Sequence, residues 1–444
     1  DQRLRAGFET KFAAWTFSTE WDLFAGQVAG DVWDIPTSAD DRHRDQLGAF
    51  TLTGVMPRRI SLRGKPAGLV DFEIGLVTSH WGLGVVANGG GSEPLFGRAD
   101  GGDRVLRLRV SNSPFRYRNS LSTPGPPDSG RGEPFPFFVS LALDRVIVDD
   151  LAKWSAGQNA QQVVLSTFYA DEEGRKLGSY FVYRGQVESD RTRVSHSFVA
   201  DLYESIPVSV GTWNLTIASE AMVVLGATSR STTYQSTEKL ALSAGGAALA
   251  LTFEEPRGVF TSHLRAGYAS GDSNPDDRGV HSLDFDPNFD VGMVLFDEVR
   301  GSIDANTYAM VNDPSHSARA PDGVDAIPTE GAFGSAVYVQ PVFEYKLKPW
   351  MYVRTGVVVA FATAPIAHRF NSFRAGGEAR NHLDQPTSGT FIGTELDYAL
   401  GFDPAPEEWV LRPQVGLQFG HAHLSQNLGG GAAHLGMLTT QVVW

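Results

Sequence analysis

The chain has 444 residues, of which 42% are hydrophobic, 11% aromatic and 20% charged, with 48 glycines and no cysteine. The lack of cysteine excludes disulfides, thiolate metal sites and cysteine catalysis together. A formal charge of -14 argues against general nucleic-acid binding, and no run reaches the ~18 uninterrupted apolar residues of a membrane helix.

No apolar stretch opens the chain, as expected if Asp1 begins a mature chain after removal of a signal peptide. The first strands are expected at 4–17, 20–30, 48–57 and 68–79, where alternation is weakest. Over 103–116, Leu106, Leu108 and Val110 oppose Arg107 and Arg109. After the Pro/Gly-rich segment Leu121 to Pro136, strands follow at 136–148, 161–170, 178–187 and 192–206, with a short turn at Ile206-Pro207. Over 209–226, Trp213, Leu215 and Ile217 oppose Asn214, Thr216 and Glu220, and 236–254 continues to a turn at Glu254 to Arg257. Over 258–271, Leu264, Ala266 and Tyr268 oppose His263, Arg265 and Gly267.

The pattern sharpens toward the C-terminus. Over 333–346, Val337, Val339, Phe343 and Tyr345 oppose Gln340, Glu344 and Lys346. Over 349–363, Met351, Val353, Val357 and Val359 oppose Tyr352 and Arg354. Over 390–402, Ile392, Thr394, Leu396, Tyr398 and Leu400 face out, with Glu395 and Asp397 in. Over 408–423, Leu411, Pro413, Val415, Leu417 and Phe419 oppose Arg412, Gln414 and Gln418. The last strand, 432–444, carries Leu438, Thr440, Val442 and the terminal Trp444 on one uncharged face. Period two over so many residues matches the ~9–11 residues with which a tilted strand crosses a bilayer.

These are seventeen explicit strands. Single-chain bacterial barrels have even numbers, so the expected fold is an all-β transmembrane antiparallel β-barrel of about eighteen strands, with sixteen as fallback and the missing strand before residue 135. The domain assignment is one barrel over 1–444, in the bacterial outer membrane, with short periplasmic turns and long extracellular loops. Its partners would be outer-membrane lipid and lipopolysaccharide, the barrel-assembly machinery, and periplasmic export or envelope-complex proteins.

The polar faces give the candidate pore lining: Arg107, Arg109, His263, Arg265, Glu344, Lys346, Arg354, Glu395, Asp397 and Arg412. Of the 37 basic residues, 7 are lysine and 30 arginine. A guanidinium grips carboxylate or phosphate in a fork, so unpaired lumen arginines would favour anions. Both signs are present, so a salt-bridge network that stiffens the wall is an equally direct expectation. Phe289 to Val299 is an apolar run inside the long loop 272–332; apolar surface in water costs ~25 cal/mol per Å². Such a run has three outlets: folding inward to narrow the pore, capping the barrel rim or binding a partner; inward folding is the expectation, with Phe289, Met293 and Phe296 as a constriction. Asp149 to Gln158 could form a short rim helix.

Asp272, Asn274 and Asp276 imitate the first ligand positions of a calcium loop, but no glycine follows at the sixth position and Leu283 stands where the bidentate glutamate belongs. That leaves no EF-hand, only room for an irregular extracellular Ca²⁺ site, and no other cofactor is indicated. His421 and His423 could hold a metal with His368 or His434; at the loop end of a strand, rim residues are commoner. Ser262 with His263, and Ser195 with His196, point to opposite faces, so sequence makes no case for an enzyme.

Two local motifs carry a resemblance. Ser79-His-Trp-Gly-Leu-Gly84 with Ala87-Asn-Gly-Gly90, and Tyr268-Ala-Ser-Gly-Asp272 with Asn274-Pro-Asp276 and Phe285-Asp-Pro287, resemble segments of the alginate-export-like outer-membrane barrels of proteobacteria. That resemblance implies a monomeric eighteen-stranded barrel whose arginine-rich lumen passes a polyanionic polysaccharide. The function expected overall is a porin or exporter for a hydrophilic, anionic solute or polysaccharide. The alternative is a plugged structural barrel that anchors a surface or envelope-spanning complex.

Overall fold

The computed structural model describes residues 2–26, 55–65, 70–91, 94–97, 102–114, 136–229, 239–274, 277–312, 315, 331–376, 378–387, 389–403 and 412–443. Eighteen strands form one sheet. Seventeen are long: β1 (Gln2–Phe12), β2 (Trp15–Gly26), β3 (Val55–Gly64), β4 (Asp71–Thr78), β5 (Arg104–Asn112), β6 (Phe137–Val148), β7 (Asn159–Ala170), β8 (Lys176–Val187), β9 (Val194–Val210), β10 (Trp213–Thr228), β11 (Leu240–Glu254), β12 (Phe260–Ala269), β14 (Ala336–Lys348), β15 (Met351–Ala362), β16 (Phe391–Phe402), β17 (Arg412–Leu424) and β18 (Ala432–Val443). Each pairs antiparallel with its sequence neighbour among them, as in an up-and-down outer-membrane barrel.

All seventeen expected strands have a counterpart. The eighteenth lies elsewhere than expected: among the described residues it is β13, only Gly279–Val280, which adds to β11 in parallel from within the long loop. Two early boundaries move. The first hairpin turns at Ala13, whose φ of 53° is the left-handed conformation a tight hairpin needs; with no Gly or Asn there, sequence carries no turn signal. Of the strand expected at 48–57, residues 48–54 lie outside the described residues; β3 continues to Gly64, and its Arg58 and Arg63, which resemble loop residues in sequence, are lumen-facing partners of acids. The expected turn at Ile206-Pro207 is also wrong: β9 runs through it, with Pro207 opposite Thr216, and turns after Val210.

Apolar side chains on the outward face stay exposed, Leu202 at 63% and Leu438 at 65% among them. In water such a belt would be costly, whereas in hydrocarbon it is the required surface. Inward positions are buried. Ile392, expected outward, is 8% exposed and joins the interior, because the β15–β16 register shifts between Ala360 and Phe361. No described helix is long and apolar enough to cross a membrane; this barrel crosses with strands.

The connection β4–β5 and the segment 281–300 from the β12–β14 connection both fold inside. Leu283, Phe285, Phe289, Val291, Met293, Leu295 and Phe296 are buried in one cluster with Tyr338, Val342, Val358 and Ala399 of the wall. Each fully buried Leu or Phe contributes about 1.5–3 kcal/mol, which accounts for an apolar run inside a polar loop. A π-helical turn at Leu295–Arg300 continues into helix α1 (Gly301–Asn312). Helix α2 (Arg369–Arg374) lies in the β15–β16 connection. Within the segment expected as a rim helix, Trp154–Ala156 forms a single 3-10 turn.

Candidate functional site: the lumen

The segment 281–300 packs against β10 to β17, the β4–β5 loop reaches β7 to β9 through Trp81, and open space remains beside β3 to β11. That space has two chambers. The inner one, on the side of the short turns, is a cavity of about 560 Å³ whose charged lining is Arg63, Lys65, Arg107, Arg109 and Asp71. The outer one, on the side of the long loops, is about 340 Å³ and is lined by Asp103, Asp149, Asp150, Asp284, Asp286 and Asp304 with Lys153, Arg184 and Arg300. Ser79 and Tyr180 line both chambers. The lumen is thus electrically divided, acidic outside and basic inside.

Strand register builds the basic wall. Arg107 stands opposite Asp144 and Arg109 opposite Glu73 in the ladders of β5 with its neighbours. Arg107 grips Asp144 through two bonds, Nε–Oδ1 at 2.8 Å and Nη2–Oδ2 at 2.6 Å, and donates from Nη2 to Ser79 Oγ at 3.2 Å. Arg109 Nη2 reaches Glu73 Oε2 at 2.9 Å, and Arg63 and Lys65 share Asp71 at 3.0 and 3.6 Å. These acids brace the cations from the side, and the four cations still outnumber the one acid on the cavity surface. A fixed fork of donors suits a carboxylate better than a mobile ammonium does.

Opposite stands an aromatic wall. Trp81, on the β4–β5 loop, stacks on Tyr180 with ring centroids 4.9 Å apart and meets Phe168 and Tyr203 edge-on at 6.2 and 6.5 Å. Its Nε1–H donates to Asp201 Oδ1 at 2.8 Å. Gly178 makes room for the indole: a Cβ there would lie 2.6 Å from Trp81. Phe138 and Phe168 extend the apolar side of the inner chamber.

In the outer chamber, Arg184 bridges to Asp149 at 2.5 Å and Arg300 to Asp284 at 2.7 Å. Burial pushes the Asp286 carboxyl up to about 6, even though the backbone N–H groups of Asn288 and Asn88 hold it down. Burial, with Asp286 and Asp149 nearby, raises Asp103 as well.

The expected pore residues separate into groups. Arg107 and Arg109 line the inner chamber. His263 bonds Thr252 at 3.1 Å, Arg265 bonds Gln340 at 3.2 Å and stacks on Phe289 at 5.2 Å, and Arg354 pairs with Glu344 at 2.6 Å; none of the four lines either chamber. Lys346 is exposed near the β14–β15 turn. Glu395 and Asp397 are fully buried beneath the inward segment rather than facing open lumen. The Arg412 side chain lies outside the described residues. Phe289, Met293 and Phe296 are all buried in the interior cluster.

Among the described residues, no group of three or more His, Asp or Glu is placed to hold a metal. Asp272 spends its oxygens on the backbone of Asn274 and His281, at 3.0 and 3.1 Å, and Asp276 lies outside the described residues. His421 and His434 meet at 3.0 Å between their Nδ1 atoms, while His368 bonds Thr307 at 2.6 Å. Arg63, Lys65, Tyr180, Asp201 and Glu220 are absent from the candidate pore lining read from the sequence. Their only local signal is inward parity, and the weak alternation of the early strands hides it for the first two.

Fold and lumen define an outer-membrane β-barrel, seated in the bacterial outer membrane, with two loops turned into its interior. No family model and no curated protein matches the chain. Among solved structures it is similar to the Pseudomonas aeruginosa OpdK determined with vanillate, at TM-score 0.50 and 11% identity over 99% of this chain and 92% of that one. Other neighbours are Acinetobacter baumannii OccAB1 (TM-score 0.47, 9% identity, 99% and 94% covered) and P. aeruginosa OccK2 (OpdF) in complex with glucuronate (0.45, 9%, 99% and 90%). The alginate-export resemblance is thereby corrected: no family model supports it, and the solved structure that reaches a TM-score of 0.50 is OpdK. Of the two motifs, Asn88 of the first and Asp286 of the second meet in a contact between the inward loops.

Proposed function

We propose that this chain is a porin that lets small organic anions, carboxylates above all, diffuse across the outer membrane. The observation that carries this reading is the inner chamber, where Arg63, Lys65, Arg107 and Arg109 face an aromatic wall led by Trp81 and Tyr180. A carboxylate can exchange its water for guanidinium donors that are already oriented. A flat apolar body can lie along the rings at the same time. Vanillate, bound by the neighbour OpdK, has that shape, and an aromatic monocarboxylate is the substrate class this chamber suits best. A bulky polysaccharide suits it less, because two loops cross the lumen. Passage is passive, since nothing in this arrangement couples it to an energy source.

The test is solute uptake by proteoliposomes, comparing benzoate, benzyl alcohol and benzylamine. The reading expects benzoate fastest, with the advantage lost in an Arg107→Gln/Arg109→Gln double variant. Equal rates for the three solutes would overturn it. A second reading, a plugged scaffold, is favoured by the apolar packing of 283–296 against the wall; liposomes impermeable to all three solutes would select it.

A further inference from the structure

Each inward loop is tied to the barrel wall by a pair of acids. Glu395 of β16 accepts three consecutive backbone N–H groups: Met293 and Val294 on Oε1 at 2.5 and 2.8 Å, and Leu295 on Oε2 at 2.8 Å. Gly292, with φ 74°, lets the chain come this close; a Cβ there would lie 2.7 Å from Oε1. Asp397, the next inward residue, is fully buried beside Glu395, and neither of its oxygens has a hydrogen-bond partner. On the other side, Glu220 of β10 accepts the Leu83 N–H, and Asp201 of β9 accepts the Trp81 indole N–H. The two carboxyls are close neighbours, and Asp201 Oδ2 and Glu220 Oε1 are buried with no hydrogen-bond partner.

Two buried carboxyls side by side repel each other if both are ionised, so burial without a cation favours a proton on one member of each pair. A buried second charge without a cation would be costly. We infer that the two inward loops are latched by shared protons, one in Glu395–Asp397 and one in Asp201–Glu220, and that loss of those protons releases the loops from the wall. Each release gives a proton to solvent and leaves two adjacent carboxylates under the loop they had held.

Surrounding groups do not supply the missing charge. Asp397 stands between Gly356 of β15 and Gly420 of β17. Phe96 of one loop fills the first notch and Val294 of the other fills the second, each where a Cβ would meet it at 2.7 Å. The next inward residue on β15, Arg354, is engaged by Glu344, and its counterpart on β17 is the neutral Gln418. The loop itself brings a further acid, Asp290. Around the other pair, the register places Tyr180 opposite Asp201, with Tyr203 and Ala248 opposite Glu220. Elsewhere on the loop-to-loop contact stand the acids Asp103 and Asp286; the basic groups there are His80, bonded to Asn88, Arg58, which donates to the Gly89 carbonyl, and Arg184 beside Asp103, and none of them reaches either acid pair. Every charge gained as pH rises is therefore negative, and all act to open the lumen.

Hydrogen exchange on the full-length barrel reads the latch directly and does not depend on the porin reading. Protection factors, corrected for the intrinsic pH dependence of exchange, would be followed for peptides spanning 81–97 and 289–300 from pH 7 to 10, above the range in which Asp286 titrates. The wild type should lose protection in both at least tenfold as pH rises, with the strands unchanged. Asp397→Asn should keep 289–300 protected throughout, and Asp201→Asn should do the same for 81–97. Wild-type protection independent of pH would overturn the inference, and so would loops that respond equally in the variants. If neither variant folds, the wild-type profile alone decides.

Discussion

The backbone N–H of Asn88 donates to Asp286 Oδ2 at 2.9 Å, across 198 residues of sequence. Asn88 Nδ2 donates to the carbonyl of Asn288 at 3.0 Å, and the Asp286 N–H returns to the carbonyl of Val85 at 2.9 Å. Both inward loops therefore meet at a single aspartate. Asp286→Ala removes a buried charge-assisted acceptor and should cost about 1.5–3 kcal/mol. Limited proteolysis should then cut within 81–97 and 281–300 while the barrel stays intact. Cleavage no faster than in the wild type would contradict the junction.

The same aspartate gives a pH dependence. Burial pushes Asp286 up to about 6 in the folded protein, above the ~3.9 of a free side chain. The folded state therefore favours the proton. The junction is firmest below about 4, loses strength as pH rises to about 6, and changes little beyond, by a total of about 3 kcal/mol. Loop protection measured between pH 4 and 6.5 should fall in the wild type and be flat in Asp286→Asn.

Arg107 and Asp144 are a two-bond buried pair. Removing the cation alone, as in Arg107→Ala, leaves Asp144 buried without a counter-charge and should destabilise the barrel by about 3–5 kcal/mol. The double change Arg107→Ala/Asp144→Ala should recover much of that loss. Thermal unfolding of the four proteins of this cycle checks the coupling; additive effects would mean that the pair is not a unit.

Trp81 closes the aromatic wall where the chambers meet. Trp81→Ala should cost about 3–5 kcal/mol, as large-to-small core changes do, and also leave the Asp201 acceptor without its indole donor. Unitary conductance should rise because the passage beside Ser79 and Tyr180 widens. An unchanged conductance would place the narrow point elsewhere.

A control lies outside the lumen. In the β8–β9 turn, Asp190 pairs with Arg193 at 2.6 Å and accepts the N–H groups of Thr192 and Arg193. These outweigh burial and hold its carboxyl down to about 2. Its support for the turn is complete above about 4 and is lost as pH falls toward 2. Amide exchange of 188–193 should therefore rise only in strong acid, and Asp190→Ala should remove that dependence.

Much of this architecture is legible in the sequence because lipid enforces it. Leu106, Leu108 and Val110 must face hydrocarbon, so alternation marks β5 wherever its partners lie. Interior positions carry no such constraint. Glu395 and Asp397 read as pore lining, since two acids on an inward face look like charges meant for water. They are instead sealed by a loop that lies 100 residues from Glu395 in sequence, a distance over which parity carries no information. Asp201 and Glu220 are absent from the candidate pore lining for the same reason. Phe289 to Val299 was more transparent, because an apolar run in a polar loop has to be buried somewhere. Strand β13 left no trace, as a two-residue addition to an edge shows no period.

The proposed function turns on selection by the basic inner chamber. Single-channel recording in planar bilayers under a KCl gradient, with the reversal potential measured for the wild type and Arg107→Gln/Arg109→Gln, tests it most directly. The account predicts an anion-selective wild type whose selectivity is lost or inverted in the variant. A cation-selective wild type, or a reversal potential the variant leaves unmoved, would contradict it.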